Sequence, residues 1–82
     1  MEYKLTSHTL QRMRERLISI RLIEEALAHP DKVLHDEKRR MLIKKLYERN
    51  GRQRLLLIVG EQEENVFVII TVIDTSKIKK YL

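Results

Sequence analysis

The hydrophobic pattern of this chain has two regimes, divided at Pro30. Before it, apolar residues recur at the spacing of a helix. After it, they gather in runs bounded by polar turns. Laid on a helix at ~100° per residue, the segment His8–Arg16 (HTLQRMRER) separates into two sides. Leu10, Met13 and Leu17 form a seam suited to docking on a core, and His8, Arg12, Glu15 and Arg16 fall opposite. Thr6 and Ser7 stand ahead of it and can accept hydrogen bonds from free first-turn amides, so a helix is predicted from there to Arg16 or Leu17. Ser19 is a second cap. Behind it Ile20, Ile23 and Leu27 carry a second helix, with Arg21, Glu24 and Glu25 facing water. Pro30 pushes His29 out of helical geometry, so that helix ends near Ala28. So short a link between helices makes a helical hairpin or corner.

Beyond Pro30 the period changes. Lys32–Asp36 reads as a short strand, Arg40–Tyr47 as a longer one and Arg52–Val59 as the next. Asn50-Gly51 tolerates positive φ at both residues and predicts a hairpin turn. Gly60 marks a bulge or a strand end. Val66–Ile73 (VFVIITVI) is apolar at both parities, which predicts a central strand covered on both faces. Glu2–Leu5 reads as a short first strand and Asp74–Leu82 as a short last helix. Sequential strands joined by tight turns pair antiparallel, and helices this close cover one face. The expected fold is therefore α+β: two N-terminal helices packed on an antiparallel three- to four-stranded sheet, one domain over residues 1–82. Its expected core is Leu10, Met13, Leu17, Ile23 and Leu27 from the helices, with Leu55, Leu57, Val59, Val66, Val68, Ile70 and Val72 from the strands.

Charge narrows the partners. Seventeen basic and 12 acidic residues give a net charge of +5, which favours a polyanion such as RNA or DNA. The same 35% of charged residues also suits a surface laced with ion pairs. There is no cysteine, which fits a reducing compartment or a hot one. Met1–Leu5 carries Glu2 and Lys4, so no signal peptide is expected, and Val66–Ile73 is too short for the ~20 residues of a membrane span. A cytoplasmic protein with no membrane partner is expected.

His8, Arg12 and Arg16 stand at i, i+4 and i+8. An imidazole can take or give a proton near neutral pH, and guanidinium forks match phosphate oxygens. Lys44, Lys45, Arg52 and Arg54 lie on expected strands and could add cationic surface for nucleic acid. The plainer reading makes His8 a buried structural residue and pairs Arg12 and Arg16 with Glu15 on a solvated helix face. No metal site or cofactor is expected: there is no cysteine, no carboxylate stands at ligand spacing to His29 and His35, and no glycine-rich phosphate loop occurs. The four aromatics, Tyr3, Tyr47, Phe67 and Tyr81, form no stacking platform for single-stranded RNA.

One resemblance covers His8 to Ile73. His8, Arg12-Met13, Glu15-Arg16, Ile18-Ser19, Pro30-Asp31 and Ile70-Thr71-Val72 together resemble a family of small bacterial and archaeal proteins with an H-x-x-x-R-M-x-x-R motif and a terminal ITV strand. That family looks like a branch of the RelE/ParE-like toxin superfamily, related to BrnT toxins. The resemblance places His8, Arg12 and Arg16 at the site and Thr71 on the matching strand. It implies a toxin-type domain, an endoribonuclease acting on RNA or at the ribosome, restrained by an antitoxin protein. The superfamily also holds gyrase poisons and inactive relatives, so fold alone does not settle activity. A non-catalytic module binding nucleic acid or protein, and a domain with no retained activity, stay open, as does a homo-oligomer.

Overall fold

A computed structural model describes residues 2–82 of the chain. Eight elements follow in order: β1 (Glu2–Leu5), α1 (Ser7–Arg16), α2 (Ile20–Ala28), β2 (Lys32–His35), β3 (Arg40–Arg49), β4 (Arg52–Glu63), β5 (Val66–Thr75) and α3 (Ile78–Tyr81). The local signals that start and stop them are visible. Thr6 caps α1 through its side chain, which accepts from the Thr9 amide at 3.1 Å, and Ser19 caps α2 through the Leu22 amide, also at 3.1 Å. Asn50 (φ 54°) and Gly51 (φ 75°) make the two-residue turn between β3 and β4.

The sheet has five strands in the order β1-β5-β4-β3-β2. Strands β2 to β5 are antiparallel neighbours, while β1 runs parallel to β5, Glu2 opposite Val66 and Leu5 opposite Ile69. The expected three- to four-stranded antiparallel sheet is thus corrected to a mixed sheet of five. The cause is topological. A parallel neighbour needs a long crossover, and here all the chain between β1 and β5 serves as one, so no tight turn announces the pairing.

Strand alternation assigns the two faces. Under α1 and α2 lie Ile43, Leu56, Ile58, Phe67, Ile69 and Val72, packed with Met13, Ile18, Ile23 and Ala26. Leu55 and Leu57 are buried on the other face, toward which α3 folds back: Lys44 Nζ donates to the Tyr81 carbonyl, and Lys32 Nζ donates to the Leu82 carbonyl at 3.2 Å. Register slips by one residue at Val59/Gly60, where Val59 faces Thr71 but Gly60 faces Ile69, leaving Ile70 extra. The slip explains which residues of β5 are core. Phe67, Ile69 and Val72 are essentially sealed, whereas Val66, Val68 and Ile70 are only half-buried. Gly60 is required there, since a Cβ on it would stand 2.4 Å from the Phe67 Cζ.

The helix seam also differs from expectation. Leu10 is 38% and Leu17 79% exposed, while Thr9, Met13 and Ile18 are buried. The Thr9 hydroxyl donates to the Ile69 carbonyl at 2.9 Å, which turns α1 toward its threonine side. Leu17 adopts the left-handed conformation that ends α1 (φ 57°), points outward and hands its core position to Ile18. Among the described residues no helix is long and apolar enough to cross a membrane.

Candidate functional site

The first turn of α1 is moored to the bulge of β5. The Thr6 amide donates to the Ile69 carbonyl at 3.3 Å, the Thr6 hydroxyl to the Ile70 carbonyl at 3.3 Å, and Thr9 to the Ile69 carbonyl as above. This mooring sets His8 beside Thr71, with 3.2 Å between Nε2 and the Thr71 Oγ1. The imidazole is solvent-exposed. Two residues that stand 63 apart in the chain meet there because β1 stops at Leu5, opposite Ile69, and leaves the β5 edge open at Thr71.

Arg12 follows one turn later, half-buried beside Met13, and Arg16 a turn beyond that, exposed. At 1.5 Å of rise per residue the three side chains form a stripe about 12 Å long. Neither guanidinium has an acidic partner among the described residues; the ion pairs there are Arg40–Glu61, Arg49–Asp74 and Arg54–Asp74. The head of the stripe is also the head of a helix, where the leading amides of Ser7 and His8 precede any intrahelical acceptor and favour an anion.

The four strand cations go elsewhere. Lys44 is 8% exposed, and its ammonium is held by the Tyr81 carbonyl on the α3 face. Lys45 lies on the opposite face and donates to the His29 carbonyl at 2.8 Å, closing the end of α2. Arg54 forks onto Asp74, with Nε 2.9 Å from Oδ1 and Nη2 2.8 Å from Oδ2. Only Arg52 is left exposed at the β3–β4 turn. These residues are therefore not gathered beside His8.

A second polar group sits at the far end of the sheet, and no local motif announces it. Asp74, its side chain 4% exposed, accepts from Arg54 and from the Tyr47 hydroxyl, and Arg49 Nη1 lies 3.8 Å from its Oδ2. Burial raises the Asp74 carboxyl, but the hydrogen bonds from Arg54 and Tyr47 and the charges of Arg54 and Arg49 outweigh it and hold the group below the ordinary aspartate value. Burial, then the hydrogen bond to Asp74, then its charge push the Tyr47 phenol up. Arg49 Nη2 also donates to the Arg16 and Leu17 carbonyls, both at 3.0 Å, and its guanidinium lies over the Tyr47 ring. This cluster ties the last turn of α1, and so the backbone of Arg16, to the sheet. The clue available in sequence was parity: Tyr47 and Arg54 stand on paired strands, with Asp74 one strand further.

No trio of His, Cys, Asp and Glu side chains is arranged to hold a metal ion among the described residues. Residues 5–74 match a family described as Domain of unknown function (DUF4258). No curated protein and no solved structure matches the chain.

Proposed function

We propose that this chain, which belongs to the DUF4258 family, is a toxin-type domain that binds RNA along α1 and cleaves it without a metal, with His8 at the scissile phosphate. The observation that carries the reading is the His8–Arg12–Arg16 stripe: an exposed imidazole held by Thr71, followed by two guanidiniums free of acidic partners among the described residues. In the proposed reaction the RNA 2′-hydroxyl gives its proton to His8 and attacks phosphorus. The bond to the 5′-oxygen breaks, a water protonates that oxygen, and the hydroxide left behind takes the proton back from His8, so that a 2′,3′-cyclic phosphate and a 5′-hydroxyl result. The leading amides of α1 and the arginine forks stabilise the charge that grows on the phosphate. The resemblance to RelE/ParE-like toxins supports an antitoxin protein as the restraining partner.

A second reading is a binding module without catalysis. It is favoured by the single imidazole of the stripe, which has a threonine rather than a second acid or base as its hydrogen-bond partner. Inducible expression separates the two. Growth arrest with RNA fragmentation, abolished by His8→Ala, supports cleavage. Arrest that persists in His8→Ala with intact RNA supports binding, and no arrest from either protein removes the toxin reading.

A further inference from the structure

The outer edge of β2 is complementary to itself. β2 is the terminal strand of the sheet, with β3 on one side only. The Asp36 amide donates to the Arg40 carbonyl, so the hydrogen-bonded pairs of the β2–β3 ladder are those of Lys32, Leu34 and Asp36. The amides and carbonyls of Val33 and His35 therefore point outward. Leu34, 43% exposed, heads a row that continues through Leu42 and Val59 and borders a shallow apolar recess with Met41.

We propose that a second copy of this chain pairs here, β2 antiparallel to β2 about a two-fold axis through Leu34, joining two sheets into one of ten strands. This register uses the outward groups: Val33 of one protomer exchanges both backbone hydrogen bonds with His35 of its partner. Leu34 meets Leu34 across the axis and lengthens the apolar row. Lys32 meets Asp36 twice, once on each side: Asp36 turns Oδ1 to the Lys38 and Arg40 amides, which leaves Oδ2 for the ammonium across the axis, and the Lys32 ammonium gives the Leu82 carbonyl only one of its three protons. Lys32, Leu34 and Asp36 share one face, so the charged pairs flank the leucine pair. A parallel or one-residue-shifted pairing loses these charge pairs. An isologous contact of this kind closes and does not propagate. With only four residues in β2, the dimer is weak and concentration-dependent.

The test is light scattering coupled to size exclusion over a concentration series, with amide hydrogen exchange on the same samples. The full chain is expected to rise from 9.9 kDa toward twice that mass, with the Val33 and His35 amides gaining protection as it does. Leu34→Lys sets two ammoniums against each other, and His35→Pro removes an outward donor that the β2–β3 ladder does not use. Both variants are expected to stay monomeric at every concentration, with unchanged circular dichroism. A wild-type chain that remains at 9.9 kDa throughout overturns the proposal. So does a dimer that forms equally in both folded variants, or one that leaves the Val33 and His35 amides unprotected. If Leu34→Lys fails to fold, His35→Pro and the exchange pattern still decide the matter. None of these readouts depends on the reading of α1.

Discussion

Arginine does two different jobs on the sheet and on α1. Arg49 and Arg54, at the turn end of the sheet, are fully engaged: their forks hold Asp74 and the last carbonyls of α1. Arg12 and Arg16, on α1 itself, have no acid to hold among the described residues. Residue type is the same in both places, so type alone cannot assign a role. What separates them is whether the fold supplies the counter-ion. Asp74 is a buried carboxylate that would be costly without its partners, so its arginines serve stability. Among the described residues Arg12 and Arg16 neutralise no acid, and they are available to an anion from outside.

The sharpest way to break this contrast is Asp74→Ala. It leaves the Arg54 fork and the Tyr47 hydroxyl without their acceptor and should cost about 3 kcal/mol of unfolding free energy, measured by urea denaturation. Arg12→Ala or Arg16→Ala should lie within about 0.5 kcal/mol of wild type in the same assay. A loss as large as that of Asp74→Ala in either would show that the stripe is structural.

Binding reverses the order. Each of Arg12→Ala and Arg16→Ala should weaken RNA binding and lower the slope of log affinity against log salt by about 1, read from titrations at several salt concentrations. Lys44→Ala should leave that slope unchanged, because its ammonium is covered by α3.

The smallest effect expected is on pH dependence. The Asp74 carboxyl lies below its ordinary value, so its contribution is present above the unfolded aspartate pKa of about 3.9 and is lost as pH falls through the lower folded value. Asp36 adds in the same direction, its carboxyl lowered by the amides of Lys38 and then Arg40. The Tyr47 phenol is raised, so its contribution is present below about 10 and is lost as pH rises through the folded value. Urea midpoints against pH should fall at both ends, and Asp74→Ala should flatten both, since Tyr47 is raised in part by Asp74.

How far the sequence shows these features follows the range of the interactions. Caps at Thr6 and Ser19, the Asn50-Gly51 turn and the end of α2 at Ala28 depend on a few neighbouring residues, and they read directly. The parallel β1–β5 pair does not, because nothing local to Glu2–Leu5 specifies a partner at Val66–Ile69. Parity in β5 misled for a related reason. A string of apolar residues hides a bulge, so the core falls on Phe67 and Ile69 and not on Val68 and Ile70. At the site, the i, i+4, i+8 spacing exposed His8, Arg12 and Arg16 as a stripe, and the ITV strand supplied Thr71. Burial of Lys44 and the engagement of Lys45 and Arg54 depend on α3, α2 and Asp74, all distant in sequence, and the Asp74 cluster has no local signal for the same reason, only the parity of its strands.

The most direct test of the account is the rate at which purified protein converts RNA to fragments ending in a 2′,3′-cyclic phosphate, wild type beside His8→Ala. The account predicts cleavage by the wild type and a fall of about 10²- to 10⁴-fold in His8→Ala, with the urea midpoint unchanged because the imidazole is exposed. Equal rates from the two proteins, or no cleavage by a wild type that is folded and supplied with RNA, would contradict it.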